Sequence, residues 1–450
     1  MTRKTRNKRL IIVGVAITAV AIMLGTVWFT LPKLRALAER TSNLGEDLSD
    51  AYHAGALAQR LMDDDPEQVL MIFQNSWELR PTGGFITALG EGTILRGQLE
   101  GLKVVPSNAY DLQKNIEVPL PLPMQGWIST PELELRDANW DPDFPTAAAT
   151  IQRMYTDATG RVPDLVIAIT TSATEHLVNA TGPVIFTING QTITLTADNV
   201  TGELERLTDV DFATLGLSQS DRKQILAAFA AELLPKVQRF IWQDPIKALN
   251  LTTELLETHD VQIWSADSQL DNHLAALDAR KEIGPAAQDA LLLVDTNLGA
   301  FKTDPFIQRS AYLAVTVAQE SILKLTYENT STSDDRLTTT YNDYVRIYVP
   351  EKSSLISATG LTNVKTSERH GRTVFEGRLQ IPQGEKRDVT IKYKNSSTPT
   401  SFDGYSLLLE RQAGSQPYSI ILEINDGWDD RGIQKKRVLQ GSTQKEMELR

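Results

Sequence analysis

Residues 69–85 read VLMIFQNSWELRPTGGF, a continuous apolar run followed by polar residues, a proline and two adjacent glycines. The five apolar residues 69–73 have the length of one strand, and their lack of polar–apolar alternation indicates that both faces of the strand are covered. The polar residues, Pro81 and the glycines favour turns. The stretch therefore predicts a buried strand of a layered fold, with a tight connection at its end.

Beyond this strand, short apolar runs alternate with helical patterns as far as residue 309. The strand candidates are 85–89, 93–95, 102–105, 164–169, 184–188, 261–264 and 290–294, and the helix candidates are 145–158, 172–180, 220–242 and 266–280. Strands interleaved with helices predict an α/β or α+β layered body. After residue 309 strand-like runs recur roughly every ten residues, which predicts a C-terminal all-β, sandwich-like domain.

The predicted organisation has six parts. They are a cytoplasmic basic segment (1–9), a transmembrane helix (10–31), a helical stalk (32–64), an α/β body (65–309), a β-sandwich domain (310–426) and a charged tail (427–450). The stalk is predicted from leucines and alanines spaced by three and four residues, which is helical spacing. The tail is predicted from its many charged and few apolar residues.

Residues 10–31 are 22 consecutive uncharged residues. In a helix they would extend ~30 Å, about the thickness of the hydrocarbon core of a bilayer. Five basic side chains and no acidic one precede them, which orients the N-terminus towards the cytoplasm. A cleavable signal peptide is the alternative, but its apolar region is usually only roughly 7–15 residues long. The sequence therefore predicts a single-pass membrane protein with the chain after Pro32 outside the cytoplasm.

Composition excludes several classes of function. The formal net charge is −12, and an acidic chain lacks the basic face that nucleic-acid binding requires. The chain contains no cysteine, which excludes disulfides, thiolate metal sites and cysteine nucleophiles. It also contains no P-loop, no dinucleotide-binding fingerprint, no G-x-S-x-G elbow and no H-E-x-x-H motif.

The end of the quoted stretch, WELRPTGGF, allows two interpretations. In the first, the N–H groups of Gly83 and Gly84 form an anion-binding nest, with Arg80 and Thr82 beside them. In the second, Glu78 pairs with Arg80 and the glycines only allow close packing of strands. The two interpretations predict a binding site and a structural turn, respectively.

Residues 135–145, LRDANWDPDFP, place oxygen-bearing side chains at alternate positions. These are Asp137, Asn139, Asp141 and Asp143. An EF-hand is rejected, because Pro142 stands where its glycine is required and Ala148 where its glutamate is required. A looser Mg²⁺ or Ca²⁺ site remains one interpretation. The other is that Asp143 caps the helix that begins at Phe144, with a proline in its first turn.

Residues 295–309, DTNLGAFKTDPFIQR, again place polar side chains after an apolar strand. Ligands of layered α/β proteins often bind at strand ends, so several of these side chains are candidate ligand-binding groups. They are Asp295, Asn297, Lys302, Asp304 and Arg309. The alternative interpretation is a loop between domains.

Four stretches follow the predicted N-terminal membrane span in the order QNSWELRPTGGF, LRDANWDPDFP, DLVIAIT…TGPV and DTNLGAFKTDPFIQR. Together they resemble the bacterial family called domain of unknown function 4012, over roughly residues 65–310. The resemblance implies a membrane-anchored protein that faces the cell envelope. A weaker resemblance is to the LytR-CpsA-Psr envelope proteins, which use arginines and aspartates to hold a polyprenyl-pyrophosphate for glycopolymer transfer. Their S-I-P-R-D motif is absent from this chain.

Two hypotheses about function follow. In the first, the body is a non-catalytic module that binds an anionic ligand, a wall polymer or a partner protein. In the second, it is a metal-assisted glycopolymer or phosphoryl transferase, in which arginines hold pyrophosphate and Mg²⁺ neutralises the leaving group. The predicted anion site of both hypotheses contains Arg80, Thr82, Gly83, Gly84, Arg136 and Lys302.

Overall fold

A computed structural model describes residues 44–449, apart from 112–115, 220, 223, 300, 317–318, 333–336, 397–404, 429–433 and 444–446. The predicted basic segment (1–9) and transmembrane helix (10–31) lie outside the described residues. Within the described ranges, none of the helices has both the length and the apolar character needed to span a bilayer. In the described part of the predicted stalk, one helix, α1 (Leu44–Leu61), leads into the body.

The α/β body combines one five-stranded sheet, one hairpin and several helices. Its strands are β1 (Glu67–Asn75), β2 (Phe85–Leu95), β3 (Gln98–Pro106), β4 (Leu165–Thr170), β5 (Val184–Ile188), β6 (Gln191–Leu195) and β7 (Val261–Ser265). Its helices after α1 are α2 (Asn108–Asp111), α3 (Phe144–Thr159), α4 (Thr171–Thr181), α5 (Val200–Asp209), α6 (Gln224–Gln243), α7 (Pro245–Glu257) and α8 (Ser268–Ala276). The sheet has the order β3-β2-β1-β4-β7, in which only β1 and β4 are parallel.

Strand β1 is the central strand of this sheet, and both of its faces are covered, as its apolar run predicted. Val69, Met71 and Phe73 pack into one apolar cluster together with α1 and α4–α8. Leu70 and Ile72 pack into a second cluster on the other face, together with α3. Fully burying one such side chain stabilises a fold by about 1.5–3 kcal/mol, so this strand anchors both layers of the body.

The chain after the body is β-rich. Its strands are β8 (Asp289–Val294), β9 (Ile307–Thr316), β10 (Glu320–Asn329), β11 (Tyr341–Pro350), β12 (Ser354–Thr359), β13 (Thr362–Arg369), β14 (Arg372–Ile381), β15 (Lys386–Lys394), β16 (Leu407–Glu410), β17 (Ser419–Trp428), β18 (Gln434–Ser442) and β19 (Met447–Leu449). They form two open six-stranded sheets, β12-β15-β10-β9-β17-β18 and β13-β14-β11-β8-β16-β19. Side chains of both sheets share one apolar cluster. The prediction of a mixed α/β body followed by a β-rich region is therefore confirmed.

Two predicted boundaries differ from the structure. The run 289–294, which the sequence assigned to the body, is a central strand of the second sheet, where it pairs with β11 and β16. A continuous apolar strand fits the centre of either sheet, so its composition could not decide between them. The predicted tail (427–450) contains two strands, β18 and β19, because Leu439 and Leu449 pack against the apolar cluster between the sheets.

Candidate functional site

Arg80 of the predicted anion site is enclosed, with only 3% of its surface exposed. Its Nε donates a hydrogen bond to Oδ1 of Asp137 at 3.2 Å, and its Nη1 donates to the carbonyl oxygens of Leu79 and Asn297. The guanidinium also lies over the ring of Phe85, 5.3 Å from the ring centre. Arg80 therefore uses Nε and Nη1 to hold protein groups, and a ligand in solvent has almost no access to it.

The glycine pair forms a buried turn at the end of β1. The N–H of Gly83 donates to the carbonyl oxygen of Arg80 at 2.9 Å, so it does not point towards a ligand. Gly84 has a φ of +156°, and a Cβ atom there would lie 2.3 Å from the backbone of Asn75. A side chain at this position would displace β1, which is a structural reason for glycine. The geometry agrees with the close-packing interpretation and contradicts an open anion-binding nest.

Arg136 and Lys302 do not complete a common site. The Nε of Arg136 lies 3.8 Å from Oδ2 of Asp137, the carboxylate that Arg80 also contacts. Lys302 instead contacts two carboxylates of helix α5. Among the described ion pairs, Arg80 pairs with Asp137. The packing interpretation had assumed that Arg80 pairs with Glu78. Burial raises the pKa of Glu78, although Arg80 and Lys302 offset part of this effect.

The first two residues of the aspartate run hold the turn from the side of α3. Asp137 is the ion-pair partner of Arg80. Asn139 donates from Nδ2 to Oε1 of Gln74 at 2.6 Å and to Oγ1 of Thr82 at 3.0 Å. Thr82 in turn donates to the same Gln74 oxygen at 2.6 Å. Thr82 therefore belongs to a buried hydrogen-bond network and not to an anion site.

The last two residues of the run have other partners. Asp143 caps α3, as predicted: its Oδ2 accepts from the N–H of Thr146 at 3.0 Å, and its Oδ1 accepts from the N–H of Ile283 at 2.9 Å. Asp141 lies 2.8 Å from Nε2 of His370. Burial would raise the pKa of Asp141, but the hydrogen bond with His370, the charge of His370 and the backbone hydrogen bond from Asp143 together outweigh burial and lower this pKa. The four oxygen-bearing side chains thus face different partners, and no described group of three or more His, Asp or Glu side chains is arranged to hold a metal ion.

Apart from Lys302, which contacts α5, the candidates of the stretch 295–309 belong to a buried ionic cluster at the start of the β-rich region. Nε of Arg309 lies 2.6 Å from Oδ2 of Asp295, and both side chains are about 5% exposed or less. Burial raises the pKa of Asp304. Burial and the nearby charge of Asp295 raise the pKa of Asp343 well above its usual range.

Gln412 connects this cluster to the turn after β1. Its Nε2 donates to the carbonyl oxygens of Arg80 at 3.3 Å and Asp295 at 2.8 Å, and its Oε1 accepts from the N–H of Asp295 at 2.9 Å. We call Arg80, Asp137, Asp295, Asn297 and Gln412 the buried joint, because they link the body to the β-rich region. The sequence carries no motif around Gln412, so its role could be found only in three dimensions.

A different part of the body is open to solvent. At the amino ends of β1 and β4 lies a pocket with a volume of about 190 Å³, which we call the Glu91 pocket. Its lining residues are Gln68, Val69, Glu91, Gly92, Thr93, Glu100, Gly101, Lys103, Tyr155, Arg161, Val162 and Pro163. The register of the β2–β3 pair shifts between Glu91 and Thr93, and such a bulge redirects side chains locally.

Glu91 is the electrostatic centre of this pocket. Its Oε2 lies 2.7 Å from Nη2 of Arg161 and 3.8 Å from Nζ of Lys103, and its Oε1 accepts a hydrogen bond from the hydroxyl of Tyr110. Burial would raise the pKa of Glu91, but the hydrogen bonds from Tyr110 and Arg161 outweigh it and lower this pKa. Burial and the charge of Glu91 raise the pKa of Tyr155 to about 12. Glu91 is therefore an ionised, fixed acceptor, and both tyrosines keep their protons.

The pocket combines fixed charges with accessible donors. The side chain of Glu91 is 8% exposed, whereas those of Lys103 and Arg161 are 46% and 55% exposed. The guanidinium of Arg161 lies over the ring of Tyr155, 5.6 Å from its centre, which holds the arginine at the rim. Sequence reasoning missed this site. The one local signal is the triplet Gly90-Glu91-Gly92, a carboxylate between glycines in a buried strand.

Comparison with known proteins agrees with the family resemblance. Residues 64–207 match the model of a family described as "Protein of unknown function (DUF4012)", and this range contains the turn, the aspartate run and the Glu91 pocket. No curated protein matches the chain.

Solved structures with some likeness to this chain come from Listeria and Streptococcus species. The Lin1025 protein from Listeria innocua is 11% identical at a TM-score of 0.27, covering 48% of this chain and 81% of its own. Protein gbs0355 from Streptococcus agalactiae is 12% identical at a TM-score of 0.30, and the match covers 50% of this chain and 76% of that protein. The putative transcriptional factor Lmo1026 from Listeria monocytogenes is 12% identical at a TM-score of 0.23, and the match covers 51% of this chain and 85% of that protein. At these scores the likenesses carry no argument about function.

Proposed function

We propose that the chain is a single-pass protein of the bacterial cell membrane whose extracytoplasmic body binds a hydroxyl-rich polymer of the cell envelope in the Glu91 pocket. The proposed anchor is the apolar run 10–31 with the basic residues before it. The proposed ligand is a neutral carbohydrate segment.

This proposal rests on the balance of charge in the Glu91 pocket, which is open to solvent. The lining includes two carboxylates, Glu91 and Glu100, and two cationic side chains, Lys103 and Arg161, so the pocket offers both acceptors and donors without a net charge. A small anion would have to approach the buried carboxylate of Glu91. A carbohydrate hydroxyl group both donates and accepts hydrogen bonds, so it matches a pocket that offers both kinds of partner.

The same geometry favours binding over hydrolysis. A general acid must hold a proton near neutral pH, and a carboxyl group fills this role when its pKa is raised. The pKa of Glu91 is lowered instead, because Tyr110 and Arg161 stabilise its ionised form. Glu91 therefore holds no proton that it could donate as a general acid, and we assign it the role of orienting the donors at the rim of the pocket.

The transferase hypothesis loses its proposed anion site. Arg80 is enclosed and bonded to Asp137, Arg136 contacts the same carboxylate, and Lys302 is held by α5. A pyrophosphate could reach Arg80 only if the buried joint opened. Breaking a buried ion pair costs about 3–5 kcal/mol, which makes such opening rare.

The test is a titration of the purified full-length chain in detergent micelles with soluble, uncharged glycan fragments of bacterial cell wall. We expect Arg161→Ala to weaken binding at least tenfold, equivalent to ~1.4 kcal/mol. Thr93→Val removes one hydroxyl group from the pocket at nearly constant shape, and we expect it to weaken binding as well. Lys324→Ala is the matched control, because Lys324 is an exposed cation that pairs with a carboxylate on the β-rich region.

Equal affinity of the wild-type chain and both pocket variants would contradict the proposal, as would the absence of glycan binding. Binding of polyprenyl-pyrophosphate that depends on Arg80 and not on Arg161 would instead support the transferase hypothesis. Circular dichroism spectra of the variants exclude loss of fold as the cause of a change.

A further inference from the structure

Two histidines meet where helix α1 packs on helix α8. Leu61 at the end of α1 and Leu274 of α8 are both buried in the apolar cluster of the body. His53 lies two turns before Leu61 on the same face of α1, and His273 directly precedes Leu274. The packing of the helices therefore directs both imidazoles to one place, and both remain partly exposed to solvent.

The contact between the imidazoles is made by two ring nitrogens of the same type. Nδ1 of His53 lies 2.8 Å from Nδ1 of His273, and the ring centres are 5.1 Å apart with the planes tilted by 58°. At this distance the two imidazoles form a hydrogen bond when one of them carries its proton on Nδ1 and the other offers its lone pair. A metal ion that accepts both Nδ1 lone pairs can take the place of that proton.

We propose that His53 and His273 form a two-histidine site for a divalent transition-metal ion, Zn²⁺ in the first place, which fastens α1 to the body. Zinc–nitrogen bonds are ~2.0–2.1 Å long, so a tetrahedral ion separates its two nitrogens by about 3.3 Å. A widening of about half an ångström from the observed distance is within reach of small side-chain rotations at a partly exposed site. Water molecules complete the coordination, because the part of the chain that the structure describes supplies no third His, Asp or Glu ligand here.

The donor set determines which ions the site selects. Imidazole nitrogens bind Zn²⁺, Ni²⁺ and Cu²⁺, whereas Mg²⁺ and Ca²⁺ prefer oxygen ligands. The ring of Tyr52 lies 5.2 Å from that of His53 and 5.9 Å from that of His273, measured between ring centres. This aromatic side chain packs edge-on against both imidazoles. The site therefore differs in ligand type and in place from the aspartate run.

The experiment is hydrogen exchange of the full-length, metal-free chain, followed by mass spectrometry with and without Zn²⁺. An ion that bridges the helices suppresses the opening of α1, so at ten times its dissociation constant Zn²⁺ slows exchange in residues 44–61 about tenfold. Mg²⁺ leaves this exchange unchanged. His53→Gln and His273→Gln each abolish the effect of Zn²⁺, whereas the control His370→Gln preserves it.

Slower hydrogen exchange in α1 distinguishes an ion that bridges the two helices from zinc that is bound only at the surface. An ion held by one histidine alone would not protect α1, even if it bound tightly. Exchange in residues 44–61 that is the same with and without Zn²⁺ would overturn the proposal. Protection that persists in both glutamine variants would also overturn it, because the metal would then act through other residues.

Discussion

Replacing Arg80 by methionine tests whether the turn after β1 is a structural joint. The side chains of Arg80 and Asp137 are each 4% exposed, so the variant leaves a carboxylate enclosed without its main partner. Removing one member of a buried ion pair destabilises a protein by about 3–5 kcal/mol. Arg136, 3.8 Å from the other oxygen of Asp137, compensates part of the loss. We therefore expect a loss of about 3 kcal/mol in the free energy of unfolding.

The assay is urea unfolding of the purified full-length chain, followed by circular dichroism and tryptophan fluorescence. Three variants complete a thermodynamic cycle: Arg80→Met, Asp137→Leu and the double variant. Because the double variant buries no unpaired charge, we expect it to be more stable than the sum of the two single losses predicts. Arg80→Lys keeps the charge and loses the planar fork that reaches Asp137 and Asn297 together, so it also destabilises the chain.

An exposed turn would behave differently. An ion pair on the surface contributes ~0–1 kcal/mol, so an Arg80→Met variant within 1 kcal/mol of the wild type would refute the structural joint. Strict additivity of the two single variants would also contradict the argument, because it would mean that the two side chains do not interact.

Two further variants of the chain test the packing of the turn and the boundary of the β-rich region. Gly84→Ala should lower the free energy of unfolding by roughly 2–4 kcal/mol in urea unfolding, because its Cβ overpacks against Asn75 and its φ is unfavourable. The control is Gly126→Ala, where φ is also positive but no atom lies within 4 Å of the added Cβ. The control should lower the free energy of unfolding clearly less. The fragment 310–426 should give no cooperative thermal transition in circular dichroism, because it lacks β8, β18 and β19, and a cooperative transition would show that these strands are dispensable.

The sequence predicted features that depend on neighbouring residues. The covered strand β1 followed from five consecutive apolar residues, and the cap by Asp143 followed from an aspartate directly before a helix with an early proline. The partner of Arg80 could not be predicted in the same way. Glu78 is two residues away in the chain, but the carboxylate that Arg80 contacts is 57 residues away and reaches it through the fold. The partner of a buried side chain depends on how the chain packs in three dimensions. Composition and residue spacing do not specify this packing.

The positions of the two candidate sites explain why the motifs favoured the end of the sheet that is buried. Ligands of open α/β sheets usually bind at the carboxyl ends of parallel strands, which for β1 and β4 is where the glycine turn lies. In this chain the β-rich region fills that place. A Cβ on Gly83 would lie 2.6 Å from Thr170 at the end of β4 and 3.5 Å from Ala413, and a Cβ on Gly414 would lie 2.0 Å from the carbonyl oxygen of Gly83. Glycines and charges at such an edge stabilise domain contact as readily as they bind a ligand. The opposite edge, at the amino ends of the same strands, remains open, and we therefore place the proposed ligand there.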